Sequence, residues 1–130
     1  MPATPEARAP YQWANVTQQA DFAPRDGAGA LSFHGRMWLL GGWNPGDTEN
    51  FPAVCNNEVW SSADGRRWTL EKEGTFGRDG FDPERDWEGR HTAGYVVFQD
   101  RMWLAGGDPI QGHYQDDVWC SEDGRDWTRV

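Results

Sequence analysis

The side chains best suited to hold a ligand fall in two short stretches. The first, WNPGDTENFPAVCN at 43–56, carries Trp43, Asp47, Glu49, Asn50 and Phe51; the second, DPIQGHYQ at 108–115, carries Asp108, Gln111, His113 and Tyr114. Arg25 precedes the first stretch, and Trp87, Arg90 and His91 precede the second. Aromatic rings offer an apolar platform for the C–H face of a sugar, while a few carboxylates, amides and guanidinium groups fix its orientation. These types together suit a carbohydrate or another small polar ligand. No catalytic residue is assigned. The three histidines, His34, His91 and His113, and the two cysteines, Cys55 and Cys120, are scattered without metal-ligand spacing, so neither a metal nor a cofactor is expected.

Composition narrows the partners. The net charge of -9 repels phosphate backbones and anionic membrane surfaces, which argues against nucleic acid and membrane. No apolar run approaches the about 18 residues of a membrane span, and the first residues, MPATPEARAPYQW, lack the apolar stretch of a signal peptide. A soluble, cytoplasmic chain is expected.

The elements that position the ligand stretches come from an internal repeat. PRDGAGALSFHGRMWLLGG at 24–42 and NNEVWSSADGRRWTL at 56–70 return as GRHTAGYVVFQDRMWLAGG at 89–107 and QDDVWCSEDGRDWTRV at 115–130. Phe33 matches Phe98, 65 positions on, and Trp68 matches Trp127, 59 positions on; the difference falls in the loop that carries the ligand stretch. Each copy reads as four strands. The first ends on Phe33 or Phe98, turns tightly at His34-Gly35 or Gln99-Asp100, and returns through RMWL to a glycine pair. The third carries Val-Trp, and an Asp-Gly turn leads to a fourth that opens at Trp68 or Trp127. The glycine pairs imply close backbone approach. Residues 73–89, rich in Gly, Asp and Arg, read as loop.

A four-stranded unit with a glycine pair closing its second strand and a later Trp resembles the kelch repeat, over nearly the whole of 24–130. The resemblance implies an all-β fold of two antiparallel blades of a β-propeller, as in the central domain of galactose oxidase. Within each unit, Ser62, Asp64, Gly65 and Trp68, and again Ser121, Asp123, Gly124 and Trp127, resemble the Asp-box of sialidases, with Arg67 and Asp126 where Thr is usual. There the motif is a folding element: the aspartates accept hydrogen bonds from turn amides and the tryptophans bury their rings between blades. Arg25 and Arg90 share one repeat position, so pairing with carboxylates or carbonyls is expected of them before ligand binding. His113 and Tyr114 have no counterparts in the first unit, which favours them as site residues, although a solvated loop is the plainer setting for a histidine.

The resemblance also implies a missing part. A ring takes four or more blades, so two leave apolar faces open. The segment YQWANVT resembles the start of a fourth strand whose partners are absent. The organisation expected is a disordered tail at 1–10, an orphan outer strand at 11–20, one blade at 21–72, a loop at 73–89 and a second blade at 90–130. A portion of a longer, roughly six-bladed protein is preferred over self-association of a short chain. The expected function is a scaffold presenting its rim loops to a protein or glycan. The alternative is part of a carbohydrate-active enzyme. The tyrosine, histidine and cysteine set of galactose oxidase does not map onto Tyr11, Tyr95, Tyr114 and Cys55. A sialic acid mutarotase would need Arg25 or Arg90 on a substrate carboxylate, with Glu49 or His113 as acid or base.

Overall fold

The structure is a computed structural model that describes residues 11–49, 51, 54–110 and 112–130. The described residues are all-β: eight strands form two antiparallel four-stranded sheets, each with its strands in chain order. The first unit contains β1 (Gly29–Phe33), β2 (Arg36–Leu40), β3 (Val59–Ser62) and β4 (Thr69–Lys72). The second contains β5 (Gly94–Phe98), β6 (Arg101–Ala105), β7 (Val118–Ser121) and β8 (Thr128–Arg129). Each is a blade-like sheet, and the described residues hold no helix.

Local chemistry sets the hairpins. His34 and Gly35 (φ 46° and 69°), like Gln99 and Asp100 (φ 48° and 56°), take the positive φ values that match a two-residue turn to strand twist. The glycine pairs behave as close-approach sites. A Cβ on Gly41 would stand 2.7 Å from the Arg90 carbonyl oxygen, and the neighbouring Gly42 N–H donates to that same oxygen at 2.9 Å.

The Asp-Gly connection is a turn, as expected, but a wide one. Residues 63–68 and 122–127 separate the strands, and β4 and β8 begin one residue after Trp68 and Trp127. Side chains hold this wider loop identically in both units. The Gly65 and Gly124 N–H groups donate to Ser62 and Ser121 Oγ, each at 2.8 Å. Asp64 Oδ1 accepts from the amides of Arg66 and Arg67 at 2.8 and 3.0 Å, and Asp123 Oδ1 accepts from those of Arg125 and Asp126 at the same distances. The Trp68 and Trp127 indoles donate to the Gly65 and Gly124 carbonyls, each at 3.1 Å. Asx-type bonding, rather than a two-residue turn, thus closes the hairpin; only the glycines (φ 75° and 79°) need the left-handed region. The two rings differ in surroundings. Trp127 is buried edge-to-face on Trp87 at 5.7 Å, whereas half-buried Trp68 packs on Phe22 at 5.1 Å.

Residues 11–20 form no strand, and Trp13 is almost fully exposed. The loop at 73–89 also lacks regular structure, yet it is tied down by buried Asn57, whose side-chain carbonyl accepts from the Thr75 and Phe76 amides while its NH2 donates to the Trp87 carbonyl.

The core lies between the sheets. Cross-strand register puts Leu31, Phe33, Trp38, Leu40 and Val59 on one face of the first unit. Met102, Leu104 and Trp119 share a face of the second. All but Leu31, which is partly buried, are below about a tenth exposed, and all belong to one apolar cluster with Trp87 and Trp127. A Cβ on Gly124 would meet the Trp38 ring at 2.3 Å, so the second unit's hairpin lies directly on the first unit's tryptophan.

Candidate functional site

The β2–β3 and β6–β7 loops meet at one rim. In the first, Trp43 pairs with both Asp26 and Cys55, and Asn44 N donates to the Val54 carbonyl at 3.0 Å, so the loop folds back on itself beyond the glycine pair. In the second, His91 pairs with Asp108, and His113 N donates to Ile110 O at 2.7 Å in a tight turn. Between them runs a groove of about 540 Å³ lined by Trp43, Phe51, Val54, Ile110, Tyr114 and the two prolines Pro45 and Pro109, with Cys55, His91 and Asp108 as its polar groups. That volume and mixture are those of a small-molecule site.

The polar groups form a chain. His91 Nδ1 lies 3.5 Å from Asp26 Oδ1 and Nε2 lies 3.8 Å from Asp108 Oδ2, with the Trp43 ring tilted over the imidazole at 5.8 Å. Asp108 Oδ1 is buried and has no hydrogen-bond partner among the described residues. Such an oxygen costs about 1–3 kcal/mol unless a donor reaches it. The Cys55 thiol donates to the Asp108 carbonyl at 3.5 Å. Burial first, then the negative charges of Asp108 and Asp26, push this thiol up to about 12, so it stays protonated and is no nucleophile.

The repeat gives the groove its asymmetry. Trp43 and Asp108 occupy one repeat position, 65 apart, and so do Asp26 and His91. The Asp26–Trp43 backbone bridge returns as His91–Asp108, but the side chains differ. Where the scaffold repeats, residues agree, and where the groove lies, they diverge.

Of the residues read from the sequence, Trp43, Phe51, His91, Asp108 and Tyr114 come together here. The rest lie elsewhere. Arg25 Nη2 pairs with Glu58 Oε2 at 2.8 Å and Nη1 bonds Asn56 Oδ1 and the Gly41 carbonyl, leaving the side chain 4% exposed. Arg90 repeats the arrangement on Asp117 and the Gly106 carbonyl, fully buried. Both arginines fasten strand ends within their own unit. Trp87 is wholly buried against Trp127. His113 is exposed, 3.5 Å from Glu88 Oε2 and outside the groove, and Glu49 is exposed on its loop. Asn50 and Gln111 lie outside the described residues. The sequence reading missed Asp26 and Cys55; aligning the units at His91 finds the first, while Cys55 carries no repeat signal at all.

A larger, open cleft of about 1100 Å³ lies between loop 73–89 and β8, where Lys72, Arg85, Arg125 and Arg129 alternate with Asp82, Glu84, Asp86 and Asp126. Its charges offset one another, and Lys72 is already paired with Asp86 at 2.8 Å, so it lacks the convergent polar groups of the groove. Among the described residues, no group of three or more His, Cys, Asp or Glu side chains is placed to hold a metal ion. No helix there is long and apolar enough to cross a membrane.

No protein-family model matches the chain and no curated protein matches it, so the chemistry of the groove is read from its own residues.

Proposed function

We propose that the chain is a kelch-type, Asp-box-bearing scaffold whose rim groove binds a saccharide. The observation that carries this reading is the groove itself, walled by Trp43, Phe51 and Tyr114, with the Asp108 carboxylate among its lining groups and one oxygen of that carboxylate without a donor among the described residues. A sugar answers both needs: its C–H face covers aromatic surface, and a hydroxyl donates to the carboxylate. On this reading, further units of the same kind cover the two open sheet faces, in a ring of about six. The carbohydrate-active alternative draws less support, because Arg25 and Arg90 are held in ion pairs with Glu58 and Asp117 and do not reach the groove.

Saturation-transfer NMR and calorimetry with neutral hexoses and N-acetylhexosamines test the proposal. Saturable binding is expected, weakened about tenfold or more, or 1.4 kcal/mol, by Trp43→Ala and by Asp108→Asn. Absence of saturable binding to any sugar contradicts the scaffold's glycan role. Accelerated interconversion of anomers in the same spectra would favour the enzyme.

A further inference from the structure

Each unit has two apolar faces, and the chain buries one of each. The first unit's Trp38 face, with Leu31, Phe33 and Leu40, is covered by the second unit's Met102 face, with Leu104 and Trp119. The opposite faces meet no second sheet, although Phe22 packs on Trp60 at 6.2 Å and Val16 approaches Gly65 at the edge of the first unit's face. On the second unit, the counterparts of Leu31 and Phe33 are Val96 and Phe98, 54% and 59% exposed against 4% for Phe33. On the first unit, the counterpart of fully buried Met102 is Met37, 40% exposed, and those of Leu104 and Trp119 are half-buried Leu39 and Trp60.

The open faces are thus of two different kinds, and the interior of the chain shows how those two kinds fit. The match extends to a detail of shape. Trp38 lies over Gly124, where a Cβ would be 2.3 Å from its ring; the corresponding Gly65 meets only the Met37 and Val16 side-chain tips, and Trp103 covers no such glycine. We infer that a second copy of this chain docks head to tail, its Met37 face taking the Trp103 face of the first, with Trp103 seated over Gly65 as Trp38 is over Gly124. The copies repeat the contact already made inside each chain. Such a heterologous contact uses unlike patches, so it propagates from copy to copy and closes into a ring or runs on as a filament. It does not depend on the saccharide reading, since the groove lies on the rim and not on either face.

Complementary blocking tests it. Phe98→Glu disables one face and Met37→Glu the other; both side chains are exposed within the chain, so each unit keeps its own core. Sedimentation velocity should show concentration-dependent assemblies for the unmodified chain and monomers for each variant alone. An equimolar mixture of the two variants should give a 1:1 dimer and nothing larger, because each brings the one face the other lacks. Phe98→Ser with Met37→Gln gives the same pattern at higher concentration. A monomer at every concentration for the unmodified chain, continued association of either single variant, or no heterodimer from the mixture would overturn the inference.

Discussion

Trp38 and Trp103 hold the same place in two copies of one unit and make the same hydrogen bond. Their indole N–H groups donate to the carbonyls of Phe33 and Phe98, at 3.0 and 2.9 Å. Trp38 is 6% exposed beneath the other unit, while Trp103 is half-buried on an open face. Local sequence fixes the ring and its bond, and only the neighbour differs. The pair separates what a unit contributes by itself from what it gains by stacking.

The largest consequence is energetic. Truncating Trp38→Ala removes a ring from the inter-unit core and should cost about 3–5 kcal/mol in urea unfolding. Trp103→Ala, measured in the Met37→Glu background where no association occurs, should cost well under half as much. Equal losses would break the comparison.

A second contrast concerns the glycines. Gly124→Val and Gly65→Val both force a β-branched residue to a φ near 75–79° and should each destabilise by more than about 1 kcal/mol. Gly124→Val should cost clearly more, because its Cβ also meets the Trp38 ring. Thermal melts of the two variants under one condition decide it.

Acid provides a smaller effect that the two units share in part. Burial alone would raise the Asp117 and Asp123 carboxyls, but Arg90 and Trp119 at the first, and the Asp126 and Arg125 amides at the second, hold them below the usual carboxylate value. The amides of Arg67 and Arg66 lower Asp64 in the same way. With folded values below the unfolded value of about 3.9, the stability they contribute is present above that pH and lost as pH falls from it through their lower folded values. Asp117→Asn should therefore lower stability at neutral pH and shrink the gap from the unmodified chain as pH falls below about 4, in urea titrations across that range.

The smallest effects are expected in the groove. Trp43 is only half-covered and Tyr114 is 72% exposed, so Tyr114→Ala should leave unfolding within about 0.5 kcal/mol of the unmodified chain. A loss beyond about 1 kcal/mol would mean that the ring supports the scaffold instead of lining a site.

Much of the scaffold was legible because the chain states it twice. The tight turns, the glycine pairs and the Ser-Asp-Gly-Trp hairpins follow from local bonding, and agreement between copies marked which residues carry it. The same logic favoured carboxylate or carbonyl pairing over ligand binding at Arg25 and Arg90, although both stood among the ligand candidates. At the Asp-Gly dipeptides the positive φ of the glycines and the amide bonds to the aspartates were legible, while the width of the loop, closed by the Ser and Asp side chains, was not. The site was harder to read. Trp43, His91, Asp108 and Tyr114 were within view, but the loops that unite them lack repeat agreement, and only tertiary folding shows that Trp87 is buried and that His113 lies by Glu88 instead of lining the groove. Cys55 was invisible because nothing in its neighbours marks it as groove-lining.

Hydrogen exchange of the indole N–H groups, followed by NMR in the Met37→Glu chain, measures the stacking claim most directly. With the hydrogen bonds alike and association blocked, Trp38 is predicted to exchange at least tenfold more slowly than Trp103. Equal rates for the two would show that the units do not stack as described and would contradict the account at its centre.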